Sequence, residues 1–418
     1  MPTLNKIRSA LAGATGHRGS NAAASPRPDL RRFRIALTAF FALDGFLFAG
    51  WVVRIPAVKA QTGASPSALG LALLGVSAGA VATMMLTGRL CARLGPPRVV
   101  LGCGVLLPLS VALPPLTHSA LALGLVLLVF GAAYGGMSVA LNSAAVDLIA
   151  VLRRPVMPGF HAAFSLGGML GAGLGGLVAG WLSPTRHLSL LAVAGLAVAA
   201  LGTRPLLGFP LAPAHRTAPD GAGTAAPADS PRPSGRTRWL VAVLGLIALC
   251  TAYGEGALAD WSALHLTDDL GASAGLAASG YSVFAAAMTL GRLSGTLLVE
   301  RLGPSRVLIW GGALGCAGML LGSLAPSVWA TLAGFVLTGL GLANVFPIAI
   351  GRAGDLAGPG GVAAASTFGY GGILLGPVAI GFLADWFSLP AALATVAVLA
   401  ALASLTAWSA RRAVLPGG

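Results

Sequence analysis

Charge is scarce in this chain. Only 9% of its 418 residues are Asp, Glu, Lys or Arg, against 56% hydrophobic, and mean hydropathy is +0.85. A soluble protein of this length needs far more charge to cover its surface, so a water-soluble globular fold is excluded. Lysine is nearly absent (Lys6 and Lys59), and the formal net charge of +14 is carried by arginine. The arginines sit in tails and short loops between apolar runs, so they read as topology signals and no nucleic-acid partner is expected. Cysteine is limited to Cys91, Cys103, Cys250 and Cys316, with neither CxxC nor metal-ligand spacing. These read as small helix-packing residues, and no metal site is expected. There is no GxxxxGK[ST] segment and no nucleophile–base set, so neither nucleotide-driven work, nor enzyme activity, nor a cofactor is expected.

Long apolar runs are what the chain has in abundance. A bilayer core of about 30 Å needs about 20 apolar residues per helix. Twelve such stretches fall at 33–54, 67–88, 98–116, 119–144, 158–181 and 187–207, then at 239–264, 275–298, 305–323, 328–351, 362–385 and 389–409. Period-2 alternation is absent, which excludes a β-barrel. The expected fold is an all-α membrane protein, with residues 33–207 and 239–410 forming two six-helix bundles. Residues 1–32 are basic, with Asp29 the one acid, and residues 208–238 hold six prolines. They read as a disordered tail and a linker, with 411–418 as a second tail. A cleaved signal peptide is not expected, because the first apolar run begins only near Phe33 and carries Asp44. Placing the tails, the linker and the even-to-odd loops on one side puts all basic residues there except Arg54, Lys59 and Arg186. By the positive-inside rule both termini are expected in the cytoplasm. Trp51, Trp181, Trp261, Trp329 and Trp386 are then expected at the outer headgroup level, with Trp239 and Trp408 at the inner one.

The halves repeat each other. Arg93-Leu-Gly-Pro-Pro-Arg98-Val99 returns as Arg301-Leu-Gly-Pro-Ser-Arg306-Val307. Trp51 followed by Gly63-Ala-Ser65 returns as Trp261 followed by Gly271-Ala-Ser273, and Phe164-Ser-Leu-Gly-Gly168 as Phe368-Gly-Tyr-Gly-Gly372. Such a parallel duplication suits two bundles that rock about a site between them.

On these residues the chain resembles the major facilitator superfamily along its whole hydrophobic length. The family's loop between the second and third helices reads Gly-x-Leu-x-Asp-Arg-x-Gly-Arg-Lys. Here it reads Gly88-Arg-Leu90-Cys-Ala92-Arg93-Leu-Gly95-Pro-Pro-Arg98, and its repeat carries Glu300-Arg301 where the first copy has Ala92-Arg93. The resemblance implies that Arg93, Glu300 and Arg301 are gate residues and that the gate is asymmetric. The stretches Glu255-Gly-Ala-Leu-Ala-Asp260-Trp261 and His161-Ala-Ala-Phe-Ser-Leu-Gly167-Gly168 look similar to a poorly characterised bacterial branch, distantly similar to fucose-permease-like proton symporters. The implied activity is proton-coupled secondary transport of a small organic solute across the cytoplasmic membrane, by a monomer. Its expected partners are solute, protons and lipid. An exporter of the same fold is the alternative, since Gly167-x-x-x-Gly171-Ala172-Gly-Leu-Gly175-Gly176 resembles the family's antiporter pattern, with Ala172 where that pattern has proline. A membrane sensor without transport is the third reading, and it lacks the soluble domain that it would need.

Few residues are then left to carry chemistry. Asp44 lies about 15 Å into the first helix, near the bilayer centre. It either carries a proton or hydrogen-bonds a neighbouring helix. Glu255 and Asp260 are separated by about 140° around the seventh helix, so they cannot share a face. Glu255 is expected to face the cavity and Asp260 an outer gate, paired with Arg54, which otherwise snorkels. His161 could relay protons or simply pack. Asn142 and Asn344, on helices that line the family's cavity, could meet solute or bridge helices. Asp147, Arg153, Arg154, Arg352 and Asp355 read as solvated helix ends or inner-gate pairs, and Asp385 as a local cap.

Overall fold

The computed structural model describes residues 28–152, 156–208 and 234–414, so Arg153, Arg154 and most of the expected tails and linker lie outside the described residues. Among the described residues, twelve helices are long and apolar enough to span a membrane: α1 (Asp29–Val52), α2 (Pro66–Met84), α3 (Pro96–Leu116), α4 (Ala120–Leu152), α5 (Gly159–Val178), α6 (Pro184–Leu207), α7 (Gly235–Asp269), α8 (Ala274–Leu293), α9 (Pro304–Leu324), α10 (Val328–Gly358), α11 (Gly360–Trp386) and α12 (Leu389–Arg411). This is the all-α, twelve-span architecture that the apolar runs imply. Helix starts earlier than hydropathy suggests: residues 28–32, expected in the tail, and 235–238, expected in the linker, are helical.

The local signals for these helices are short and repeated. All six even-numbered helices begin at a serine whose hydroxyl accepts a backbone N–H three residues on, at Ser65, Ser119, Ser183, Ser273, Ser327 and Ser388. Each cap meets one of the donors that a helix start leaves unpaired. The repeated Leu-Gly-Pro segments are tight turns. Gly95 has φ 86° and Gly303 φ 78°, where a side chain is strained, and the prolines that follow open α3 and α9. Gly63 and Gly271, both at φ 62°, end the helical segments ahead of the Ser65 and Ser273 caps.

Close packing within each half follows the repeat. A Cβ on Gly45 would fall on the Phe164 carbonyl, one on Gly167 on that of Ala42, and one on Gly171 on that of Phe46, so α1 and α5 touch backbone to backbone. Gly372 takes the same position against Leu249 and Tyr253, bringing α11 onto α7. This contact gives the α5 glycines a role with no bearing on transport direction. The halves meet along two seams. Gly70 and Gly381 of α2 and α11 lie against Pro377 and Pro66, and Gly176 of α5 lies against Gly275 and Ala278 of α8.

Large apolar side chains such as Leu121, Leu201 and Leu293 point outward, as a lipid-facing surface requires. Trp181, Trp239, Trp329, Trp386 and Trp408 are exposed, whereas Trp51 and Trp261 are each only 1% exposed. The pair belongs to the core of its two bundles rather than to a headgroup belt. Periodicity alone does not separate a tryptophan facing lipid from one facing a neighbouring helix.

Overpacking of the α1–α5 contact is expected to cost at least about 1–3 kcal/mol. Gly167→Val should therefore lower the melting temperature of purified protein, while Gly173→Ala, where a Cβ meets open space, should leave it unchanged.

Candidate functional site

Between the halves lies a cleft walled by four helices: Gly45, Phe48 and Ala49 of α1, Phe164, Ser165 and Gly168 of α5, Glu255 of α7, and the Tyr281–Arg292 face of α8. The space inside it that water can occupy is small, about 60 Å³, and it opens into a wider mouth. On α8 the lining positions 281, 285, 288 and 292 follow the helical repeat, so one face carries them all. Apolar and aromatic side chains share the wall with the hydroxyls of Ser165, Tyr281 and Thr289, and one charged pair crosses it. Arg292 Nη2 lies 3.2 Å from Glu255 Oε2 and 3.3 Å from Oε1. The two side chains are 45% and 42% exposed, so water still reaches the pair. Neither makes another hydrogen bond among the described residues.

An aromatic run borders the cleft. Phe130 stacks on Tyr134, Tyr134 on Phe48 at 4.9 Å, and the Phe48 ring meets Tyr281 edge-on at 6.5 Å, with Phe284 beyond. The run therefore crosses from one half to the other beside the ion pair. Tyr281 is within electrostatic reach of both Glu255 and Arg292.

A break in α8 fixes where Arg292 sits. The helix ends at Leu293 and resumes as Gly295–Leu302, which leaves the Gly291 carbonyl without its usual partner. Ser294 Oγ donates to it at 2.9 Å and Asn344 Nδ2 at 2.8 Å. Asn344 itself stands in a break of α10, between Val328–Leu342 and the segment that starts at Val345. One amide thus ties two broken helices together at one level, beside the cavity arginine. Asn142, on the corresponding helix of the first half, donates only to Ser138 O of its own helix. Of the two asparagines, Asn344 bridges helices and Asn142 does not.

The other singled-out residues divide in the same way. Glu255 stands on the cleft wall. Asp44 is 3% exposed and lies behind that wall, within electrostatic reach of Cys103 and Tyr134, and its Oδ1 has no hydrogen-bond partner among the described residues. His161 is exposed on α5, with its ring edge-on to Phe41 at 5.8 Å and within electrostatic reach of Arg292. Arg54 does not pair with Asp260. Its Nε donates to His187 Nδ1 at 2.9 Å and its Nη1 to Ala179 O at 3.3 Å, in a site where it is 2% exposed. Two protein acceptors in place of headgroups rule out snorkelling. Asp260 makes no hydrogen bond or ion pair among the described residues.

The bonds that join the halves lie elsewhere. Lys59 Nζ meets Asp268 Oδ2 at 2.6 Å, and Asp385 Oδ2 accepts from Ser67 N at 2.9 Å. Asp385 therefore caps α2 of the opposite half rather than its own helix. Both bonds lie on the side where α2 and α8 begin. On the opposite side Arg93, Glu300 and Arg301 are exposed and make no hydrogen bond or ion pair among the described residues, so the expected gate stands apart. Arg352 pairs locally with Asp355 at 3.3 Å. The cleft is accordingly shut at one end and open at the other.

Sequence reasoning misses Arg292. It lies inside the stretch 275–298 and counts there among the loop charges, although a charge well inside an apolar run is the usual mark of a functional residue. His187 and Asp268 escape as partners, because a partner's identity depends on packing between helices.

The two asparagines should respond differently to truncation. Asn344→Ala removes a bridge worth about 0.6–2 kcal/mol and should lower the melting temperature measurably. Asn142→Ala should stay within about 0.5 kcal/mol of the parent, as expected for a side chain with only a local bond.

The Major Facilitator Superfamily model matches residues 35–254 and 244–416. An uncharacterised MFS-type transporter of Yersinia pestis is 38% identical over 364 residues, covering 86% of this chain and 91% of its own. An uncharacterised transporter of Sinorhizobium fredii is 36% identical over 375 residues, covering 89% and 96%. Membrane protein MosC of Rhizobium meliloti is 30% identical over 390 residues, covering 90% of each chain. Among solved structures, the nucleoside transporter NupG superposes with a TM-score of 0.70 at 16% identity, over 90% of this chain and 98% of its own. A bacterial homologue of the human lysosomal transporter Spinster, in an inward-facing and occupied conformation, gives 0.72 at 15% over 93% and 98%. The chain belongs to the major facilitator superfamily, as a multi-pass membrane transporter.

Proposed function

We propose that this protein is a proton-coupled secondary transporter of a small organic solute in the cytoplasmic membrane, with both termini in the cytoplasm and the open cleft facing inward. The observation that carries the coupling is the Glu255–Arg292 pair on the wall of that cleft. While Glu255 is ionised, it holds Arg292. A proton on Glu255 cancels the pair and frees the guanidinium to turn to solute. Closing the cleft expels the water that now reaches both side chains, and an unpaired charge sealed away from water costs several kcal/mol. The free energy of closure therefore depends on whether proton and solute are both present, which is the linkage that a symporter needs.

Asp44 is the second proton-binding candidate. It sits one residue before Gly45 of the cleft wall, with an oxygen that no group among the described residues satisfies. His161, at the open end, is placed to exchange protons between bulk water and the pair. Asp260 lies within electrostatic reach of Tyr281 and is assigned to the shut end of the cleft. Arg93, Glu300 and Arg301 would meet only when the open side closes. Lys59, Asp268 and Asp385 would part from their partners in the same movement.

The test uses proteoliposomes with an imposed pH gradient and a solute that raises the melting temperature of the purified protein. At one proton per solute, a gradient of one pH unit supports about tenfold accumulation. Glu255→Gln is expected to reduce accumulation to simple equilibration while retaining exchange of labelled for unlabelled solute. Accumulation that survives both Glu255→Gln and Asp44→Asn would remove the coupling assignment.

A further inference from the structure

The ion pair of the cleft also constrains the charge of the solute, an inference that rests on the transport reading above. In the empty cleft Glu255 and Arg292 neutralise each other, and no second acid or base lines this cleft among the described residues. The proton of the coupling step cancels the charge of Glu255 and leaves Arg292 as the one charge on the wall. Arg292 commits only Nη2 to the pair, so its Nε and Nη1 have no acceptor among the described residues. Once Nη2 is released as well, the whole planar fork is free, and that fork matches a carboxylate through two parallel hydrogen bonds. It is reached from the open end. Arg292 also lines a wider space of about 630 Å³ beside the breaks of α8 and α10, with Thr296, Glu300 and Asn344. Glu300 lies eight residues further along the chain, about 12 Å of helix rise, which leaves the guanidinium to the solute.

The charge balance on closure decides between solute classes. A proton and a monoanion together keep the sealed cleft neutral. The proton alone strands Arg292, and the anion alone sets two carboxylates against one guanidinium. Each half-loaded state therefore seals one net charge away from water, at a cost of several kcal/mol. An uncharged solute arriving with the proton leaves Arg292 unpaired in the loaded state. A cation or a zwitterion adds its ammonium to a wall that has lost its carboxylate, and a dianion leaves one charge over. The hydroxyls narrow the class further. Ser165 Oγ and the Tyr281 hydroxyl make no hydrogen bond among the described residues, and Thr289 Oγ1, which donates to Ala285 O at 2.8 Å, keeps acceptor capacity. A hydroxyl on the solute gives these groups a partner when water leaves. The space inside the cleft, about 60 Å³, holds roughly four to six water-sized groups, which suits an acid of about three carbons.

We propose that the solute is a small monocarboxylate bearing a hydroxyl, bound in the state where Glu255 holds the proton, with its carboxylate on Arg292 and its hydroxyl among Ser165, Tyr281 and Thr289. Proton and solute then move together, one of each, and carry no net charge. Besides Arg292, the titratable groups within electrostatic reach of Glu255 are Tyr281 of α8 and Tyr134 of α4. His161 of α5 reaches Arg292, Asp44 of α1 reaches Tyr134, and Asp260 reaches Tyr281. Helix α11 carries only Tyr370 and Asp385, and α12 only Arg411, and none of the three lines the cleft. Glu255 is thus the one acid in this set that touches Arg292.

Equilibrium binding to the purified full chain tests this with probes of similar size: 2-hydroxypropanoate, propanoate, propane-1,2-diol, alanine and malonate. The hydroxy acid is expected to bind at least about tenfold more tightly than each of the others, a difference of about 1.4 kcal/mol. With one proton linked, its Kd should rise with pH by up to about tenfold per unit. Glu255→Gln leaves the fork free and should bind with a Kd that no longer depends on pH. Arg292→Gln should lose binding, and Ser165→Ala combined with Tyr281→Phe should remove the advantage over propanoate. Each variant is first shown to elute and melt as folded protein. Tighter binding of the diol, alanine or malonate overturns the solute class, and equal binding of propanoate overturns its hydroxyl. Binding of no probe at millimolar concentration overturns the class outright. If another probe wins but its pH dependence is still lost in Glu255→Gln, the coupling reading stands and only the class falls. A pH dependence that persists in Glu255→Gln overturns the link to that carboxylate, and with it the choice of proton site in the transport reading. In proteoliposomes, accumulation of the hydroxy acid driven by a pH gradient should not change when a membrane potential is imposed, and a response to potential overturns the charge balance.

Discussion

Hydrocarbon offers no partner to an N–H, a carbonyl or a charge, so every polar group that enters the slab must bring its partner with it. Nearly every feature of this chain is an answer to that demand. The backbone is met by helices, and helix starts by serine caps that recur at all six even-numbered helices. Where α8 breaks, the freed carbonyl of Gly291 is taken by Ser294 and Asn344. The buried Arg54 has its His187 and the carbonyl of Ala179. Among the described residues the charged exceptions are then few: the half-filled Glu255–Arg292 pair, the unpartnered oxygen of Asp44, the unpartnered Nη2 of Arg54, and Asp260.

The two halves meet the demand differently, although one is a copy of the other. The turns match, with Gly63 and Gly271 both at φ 62°. The polar groups do not. Asp44 is buried on α1, while Glu255 of the equivalent helix α7 lines the cleft. Asn142 bonds its own helix, while Asn344 joins two. Helices α2 and α4 run unbroken, while α8 and α10 are interrupted at one level. The second half thus holds the ion pair, the breaks and the acid Glu300, and the first half supplies a smoother wall against which it works.

This division explains what the sequence can and cannot reveal. Span number, the turns and the pairing of halves follow from apolar length and from Gly, Pro and Ser at fixed offsets, which are local signals. Glu255 is legible because a carboxylate inside an apolar run is rare. Arg292 is equally rare, but it lies near enough to a loop to be absorbed into the topology count. Partners are not legible at all. Charge alone matches Arg54 to Asp260, yet Arg54 lies against a histidine on α6, and Trp51 reads as a headgroup anchor although it is buried. Such choices depend on the rotation of each helix about its axis. In water a single apolar stripe reveals that rotation, but in lipid both faces of a helix are apolar.

The shut end of the cleft is held by contacts whose strengths differ in kind. The Lys59–Asp268 pair is partly exposed, with side chains at 21% and 41%, and a pair so placed contributes about 1 kcal/mol or less. The Asp385 cap on α2 adds a bond of similar size. Neither could hold the halves together against a membrane protein's own fluctuations for long. The glycine seams α2–α11 and α5–α8 have a different character, because they gain by close packing over many atoms and lose that gain once the backbones separate. A weak polar latch over a packed seam gives a closed end that is defined in geometry yet balanced in energy. A solute that binds one state about tenfold better shifts such a balance by about 1.4 kcal/mol, which exceeds the Lys59–Asp268 contribution. On the transport reading proposed above, the solute must offset the packing lost along the seams as well as the latch, so its differential affinity for the two states has to exceed the latch alone.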